Sequence, residues 1–190
     1  DDERYRQFSL GRARAKQGRL PHFPAATAIG RRDGRRVLQV YWLAARSPGQ
    51  HLENPRQVSA WRYPRQYGPQ APTFARATLP ADPGLPLLVS GTASVVGHAS
   101  LHPGDLDAQL EETFQNLEAL FAHAGGLRPA LPARPGRGSV LKVYLRDAAL
   151  ADQARARLAA LLPGTPWLLL HADVCRRELM VEIDGFHGPG

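Results

Sequence analysis

The chain has 190 residues, 43% of them hydrophobic and 22% charged, a composition that excludes disorder and fits about one to one and a half ordinary domains. No apolar run approaches a membrane span, the longest around Trp167-Leu168-Leu169-Leu170 being strand-sized, so no transmembrane helix is expected. The net charge of +7 comes from 24 basic against 17 acidic residues. Nearly all the basic residues are arginines, with Lys16 and Lys142 the only lysines and Ile29 and Ile183 the only isoleucines. That reads first as a bias toward GC-rich codons. The arginines are scattered in ones and twos rather than gathered on one face, which favours a small anionic substrate over nucleic acid. The single Cys175 excludes an internal disulfide framework and a cysteine-cluster metal site, and fits a reducing cytoplasm. A start at Asp1, without methionine or leader, is expected of a trimmed piece.

In chain order, Asp2 to Lys16 is polar and helix-compatible, and Gly18 and Pro21 stop it. Strands are predicted at Phe23–Ile29 and Val37–Ala45, joined by a turn over Gly30–Arg36 into a hairpin. One helix and one hairpin cannot close a core, so residues 1–52 read as the remnant of an N-terminal half, with the boundary in the polar stretch Ser47–Pro55 and a second domain over 53–190. Turn-rich Pro64–Pro72 follows, then a short run at Phe74–Ala77 and a strand at Leu87–Ser90. The small residues Gly91 to Gly97 permit close backbone approach, either to a ligand or in tight sheet packing. Leu106, Leu110, Phe114, Leu117, Leu120 and Phe121 recur at three- and four-residue steps, a stripe on a helix over Asp105–Ala124. After a Pro/Gly-rich loop come a strand at Val140–Leu145, a helix at Ala148–Leu162, and strands at Trp167–Val174 and Glu178–Asp184. The order predicts an α+β layer, a mixed sheet with two helices on one face.

Strand alternation locates a candidate site. Leu179, Val181 and Ile183 should face the helices, leaving Glu178, Met180, Glu182 and Asp184 on the other face, and the same rule opposes Lys142, Tyr144 and Arg146 to Leu141, Val143 and Leu145. A solvated face is one explanation; a seat for an acidic small molecule is the other, favoured by the presence of Tyr144 and Met180. His98, His102, His123 and His171 lack metal-ligand spacing, and no metal is expected. Ser90 and Ser94 lack the elbow of acyl-transfer enzymes, and no nucleotide fingerprint is present. Cys175 is either an inert buried thiol or one activated by Arg176 and Arg177.

Leu88-Val89-Ser90-Gly91, Thr113-Phe114-Gln115-Asn116-Leu117, Leu141 to Asp147 and Val181-Glu182-Ile183-Asp184 resemble the RidA-like (YjgF-type) fold, similar also to trimeric chorismate mutase. That likeness alone implies an enamine or imine deaminase. A narrower resemblance rests on Phe23 to Gly30, Glu53 to Ala60, Tyr63 to Pro69, Ser90 to His98 and Cys175 to Leu179: these look like the chorismatases, whose members carry two RidA-like halves with the site in the C-terminal one.

The chorismatase resemblance implies a chorismate-binding enzyme without a cofactor. Glu182 takes the position of the family's essential glutamate, delivering a proton to the enolpyruvyl methylene. Cys175 marks the branch to 3-hydroxybenzoate, and hydrolysis to a diene diol is the alternative. Arg76, Tyr144 and Arg146 would clamp the carboxylates, completed by Tyr63, Arg65 and Tyr67, while Ala93 sets the room left for water. A trimer is expected by analogy with related folds.

Overall fold

The computed structural model describes residues 2–16, 23–32, 34 and 37–189, without the side chains of Asp2 and Lys16. The predicted stop at Gly18 and Pro21 lies outside the described residues, as do Asp33, Arg35 and Arg36 of the predicted turn.

A six-stranded sheet organises the molecule. Its strands are β1 (Gln50–Leu52), β2 (Ala77–Leu79), β3 (Leu87–Thr92), β6 (Val140–Leu145), β7 (Trp167–His171) and β8 (Val181–His187), in the order β1-β2-β3-β8-β6-β7. Only β6 and β7 run parallel, linked by α3 (Ala151–Leu161); such a pair needs a crossover rather than a hairpin. Between β3 and α2 (Leu106–Leu127), β4 (Val95–Val96) and β5 (Ala99–Ser100) form a small separate hairpin.

The predicted periodicities emerge as geometry. Leu110, Leu117, Leu120 and Phe121 of α2 are fully buried against Leu141, Val143, Val181 and Ile183 of the sheet, with Ala154 and Leu158 of α3 in the same core. Truncating one such leucine to alanine costs roughly 2–5 kcal/mol. Asp105 caps α2, its side chain accepting from the Ala108 amide at 3.0 Å. Both helices belong to this core, while Tyr144, Ala93, Val95, Ala172, Val174 and Leu179 form a second one.

Several expectations are corrected. The strand over Val37–Ala45 does not form: Leu38 is 74% and Trp42 78% exposed, and no strand pairing involves them. A β-prone run becomes a strand only with a partner and a surface to cover. Among the described residues the expected hairpin is likewise absent, and Gly30 instead exchanges backbone hydrogen bonds with Asp173 at 2.8 and 2.9 Å. Phe23–Ile29 is extended but bridges only at Ala25, to Ala75. β1, at Gln50–Leu52, pairs with β2. β8 starts at Val181, three residues later than expected, and Met180 packs on the helix-side core instead of the opposite face. β4 and β5 were not foreseen.

Candidate active site

Glu182 and Asp184 project from the face of β8 turned away from the helices. The register pairs Tyr144 with Glu182 and Lys142 with Asp184, so alternation does gather these four groups. They then divide. Asp184 forms an ion pair with Lys142 at 3.1 Å and accepts from Tyr144 Oη at 3.2 Å, whereas Glu182 faces a cavity of about 260 Å³.

That cavity is built from four chain segments. The 175–182 segment contributes Cys175, Arg176, Glu178 and Glu182; the 91–95 segment contributes Gly91, Ala93 and Val95; the 57–76 region contributes Gln57, Tyr63, Tyr67, Phe74 and Arg76. The fourth is N-terminal: Tyr5, Arg6, Phe8, Ser9 and Arg12 of α1 (Asp2–Lys16), with Ala26 and Thr27. Residues 25–27 are stitched to the sheet by polar side chains: the Ala25 amide donates to Thr78, that of Ala26 to Ser90 Oγ, and Thr27 Oγ1 accepts from the Gly91 amide, all within 3.0 Å.

Polar side chains of α2 hold the loops in place. Asn116 Nδ2 donates to the carbonyls of Ala93 and Val95, Gln109 Nε2 to that of Glu178, and Gln109 Oε1 accepts from the Met180 amide. Arg56 bridges Glu112 at 2.6 Å and Asn116 at 2.8 Å. Gln109, Thr113 and Asn116 recur at four- and three-residue steps on α2, one turn apart on one side of the helix.

Glu182 is only 5% exposed. Burial, and then the like charge of Asp184, push its carboxyl up to about 8, against the opposing pull of Arg76 and of a hydrogen bond from Cys175. The acid is therefore largely protonated at neutral pH. Burial and the neighbouring Glu182 push the Cys175 thiol up to about 12, so it stays a thiol: of the two alternatives the inert one fits, the pull of Arg176 being outweighed. Arg76, 4% exposed, donates to Tyr63 Oη at 2.5 Å and to the Val58 carbonyl, and lies against the rings of Tyr63 and Phe74. Its buried Nε–H finds no acceptor among the described residues. The Arg176 guanidinium stacks 3.8 Å from the Tyr67 ring centroid and donates to the His98 carbonyl and Ser100 Oγ.

Six of the nine predicted residues thus meet around one cavity: Glu182, Cys175, Arg76, Ala93, Tyr63 and Tyr67. Three do not. Arg146 donates to the carbonyls of Leu179, Val174 and Arg176, using its fork to hold the 174–179 loop. Tyr144 is turned to Asp184, and Arg65 is exposed on a short 3-10 turn. Among the described residues there is no cluster of three His, Cys, Asp or Glu side chains able to hold a metal.

A family model described as "Chorismatase FkbO/Hyg5-like, N-terminal" matches residues 1–44. A 3-hydroxybenzoate synthase of Streptomyces hygroscopicus is 44% identical over 96% of the chain. Along nearly its whole length the chain is similar to the chorismatases. It spans 57% of that relative's length. A chorismatase crystal structure superposes with a TM-score of 0.81 at 33% identity, covering 97% of this chain and 57% of that one. The YjgF gene product of E. coli matches 73% of the chain at 16% identity and a TM-score of 0.51, over 98% of its own length, a likeness of fold that makes this sheet RidA-like. Sequence reasoning about the family missed α1 and Arg176. Tyr5, Phe8, Ser9 and Arg12 stand at helical spacing, but a stripe of mixed polarity carries no amphipathic signature.

Proposed function

We propose that the chain carries the catalytic centre of an enzyme that releases pyruvate from chorismate, with Glu182 as the acid and 3-hydroxybenzoate as the aromatic product. One observation carries the reading: a buried carboxyl, pushed up to about 8, faces a cavity that also presents Arg76 and Arg176. General acids work best with a pKa near the working pH, and guanidinium forks suit carboxylates.

Chorismate needs a proton on its enolpyruvyl methylene carbon. Glu182 gives it, producing an oxocarbenium ion whose positive charge faces the new carboxylate. The ring hydroxyl then displaces the ether oxygen; pyruvate leaves, and the hydroxyl proton resets the carboxyl. The resulting arene-oxide-like ring isomerises to 3-hydroxybenzoate, so no water is consumed. In the alternative, water adds to the cation and a diene diol leaves with pyruvate. Cys175 and Ala93, a small neutral thiol and a methyl beside the acid, favour the dry route by leaving little to orient water. The 44% identity to a 3-hydroxybenzoate synthase supports the same branch.

Residues 1–52 belong in this reading to an N-terminal half and 53–190 to the catalytic half, a division supported by the family model that matches residues 1–44. Incubation with chorismate, with pyruvate followed by a coupled dehydrogenase and the aromatic product by chromatography, tests the proposal. Pyruvate and 3-hydroxybenzoate in equal amounts are expected. Absence of pyruvate overturns the activity, and a diene diol alone moves the chain to the hydrolytic branch.

A further inference from the structure

The stretch from Glu53 to Ala60 lines the cavity with Gln57 alone, and the proposed mechanism leaves it unused. Asn54 and Arg56 turn to α2 instead. Asn54 Nδ2 donates to the Asn116 carbonyl at 2.7 Å. The Arg56 guanidinium pairs with Glu112 at 2.6 Å and donates to Gln115 Oε1 at 3.2 Å and Asn116 Oδ1 at 2.8 Å.

Asn116 is fully buried, so the direction of its amide has consequences. A guanidinium offers donors only, which turns the amide oxygen to Arg56 and the amide nitrogen the other way. There its two hydrogens meet the carbonyls of Ala93 and Val95, at 3.0 and 2.9 Å. The reversed amide would set donor against donor at Arg56 and oxygen against two carbonyl oxygens at the loop. Arg56 thus dictates two bonds in which it takes no part. They fasten a wall of the site: Ala93 and Val95 are buried and line the cavity that Glu182 faces, whereas neither Arg56 nor Asn116 does. Within that wall the Val95 amide turns back onto the Ala93 carbonyl at 2.8 Å.

We propose that Arg56 is a positioning residue that sets the product: by fixing the Asn116 amide it keeps the 93–95 wall closed to water beside Glu182. The inference rests on the chorismatase reading and deepens it. Without Arg56 the Asn116 oxygen is buried and unpaired, which is costly, so the amide turns or water enters to supply a donor, and the wall loosens. Water then adds to the oxocarbenium carbon in place of the ring hydroxyl's displacement, giving its proton to the Glu182 carboxylate. The hemiketal so formed collapses to pyruvate and the diene diol.

Arg56→Met and Asn116→Asp test this with two readouts. The aspartate keeps an oxygen for Arg56 but brings no hydrogen to the two carbonyls. Chromatography should show the ratio of diene diol to 3-hydroxybenzoate rising tenfold or more in both variants. Amide hydrogen exchange, followed by NMR, should accelerate at Val95 at least tenfold more than at Val143 in β6. Arg56→Lys, which retains a donor, should move both readouts less. Leu158→Ala, which weakens the helix-side core, should leave the ratio unchanged. An unchanged ratio in either test variant, an equal shift in Leu158→Ala, or equal acceleration at Val95 and Val143 overturns the assignment, as does wild-type protein that gives the diol alone. Wild-type protein that releases no pyruvate refutes the chorismatase reading; exchange then decides by itself whether Arg56 holds the wall, being selective at Val95 if it does and uniform if it does not.

Discussion

Gly91 lies directly against Glu182: a methyl group on its α-carbon would stand 1.9 Å from Oε1 of the carboxyl and 2.8 Å from Cδ. The missing side chain is the space the acid occupies. Register shifts between Val89 and Thr92, where β3 passes β8, and such an irregularity re-aims side chains beside a site. Gly91→Ala should therefore expel Glu182 from its position and lower pyruvate release at least 100-fold. A variant with wild-type turnover would show that the acid tolerates displacement.

Glu182→Gln keeps the shape and removes the proton. Pyruvate release should vanish while chorismate binding, measured by calorimetry, persists. Stability supplies an independent check. A folded-state value near 8 against an unfolded value near 4.5 means the folded chain binds the extra proton, so stability declines as pH rises from about 4.5 to 8. The glutamine variant lacks that loss and should melt higher than wild type at pH 8.5, by roughly 2–4 °C for each kcal/mol relieved. An equal or lower melting temperature would argue against a strained carboxylate.

The acid works only when protonated, so its activity is present below its pKa and lost above it. With a carboxyl at about 8, kcat/KM should be flat through neutrality and fall tenfold per pH unit above about 8. Asp184 raises that value by like charge, and Asp184→Asn should move the limb to lower pH. A limb that moves up or stays fixed would remove Asp184 from the tuning.

Cys175→Ala removes a neutral thiol from beside Glu182 and leaves room for water. The product should shift from 3-hydroxybenzoate toward the diene diol, read by chromatography. Because tenfold selectivity corresponds to about 1.4 kcal/mol between transition states, a modest rearrangement suffices, and an unchanged ratio would refute the role.

Arg146 separates a scaffold from a clamp. Its guanidinium is spent on the carbonyls of Leu179, Val174 and Arg176, so Arg146→Met should lower the melting temperature and kcat together. A selective rise in KM with unchanged stability would instead mark it as a carboxylate ligand.

What the sequence made legible is local. β6 is found where predicted, at Val140–Leu145, because its apolar alternation is continuous, and the leucine and phenylalanine stripe of α2 sets both its face and its neighbours. Alternation likewise placed Glu182 and Tyr144 on one face, but it does not say which of two polar neighbours a side chain turns to, and Tyr144 turned to Asp184. Arg146 was misplaced for a related reason: a guanidinium read from sequence is a cation, while the fold uses it as a set of N–H donors. Val37–Ala45 shows the limit in reverse, a strongly β-prone run that forms no strand pairing among the described residues. The α1 contribution stayed hidden because Tyr5, Ser9 and Arg12 come to line the cavity only through tertiary packing.

The protonation state of Glu182 can be read without any turnover. Carboxyl carbon-13 NMR on protein with labelled glutamate, titrated from pH 4 to 10 and assigned by difference with Glu182→Gln, should show one resonance with its midpoint near 8. A midpoint near 4.5 for that resonance would make Glu182 an ordinary ionised carboxylate and contradict its role as the proton donor.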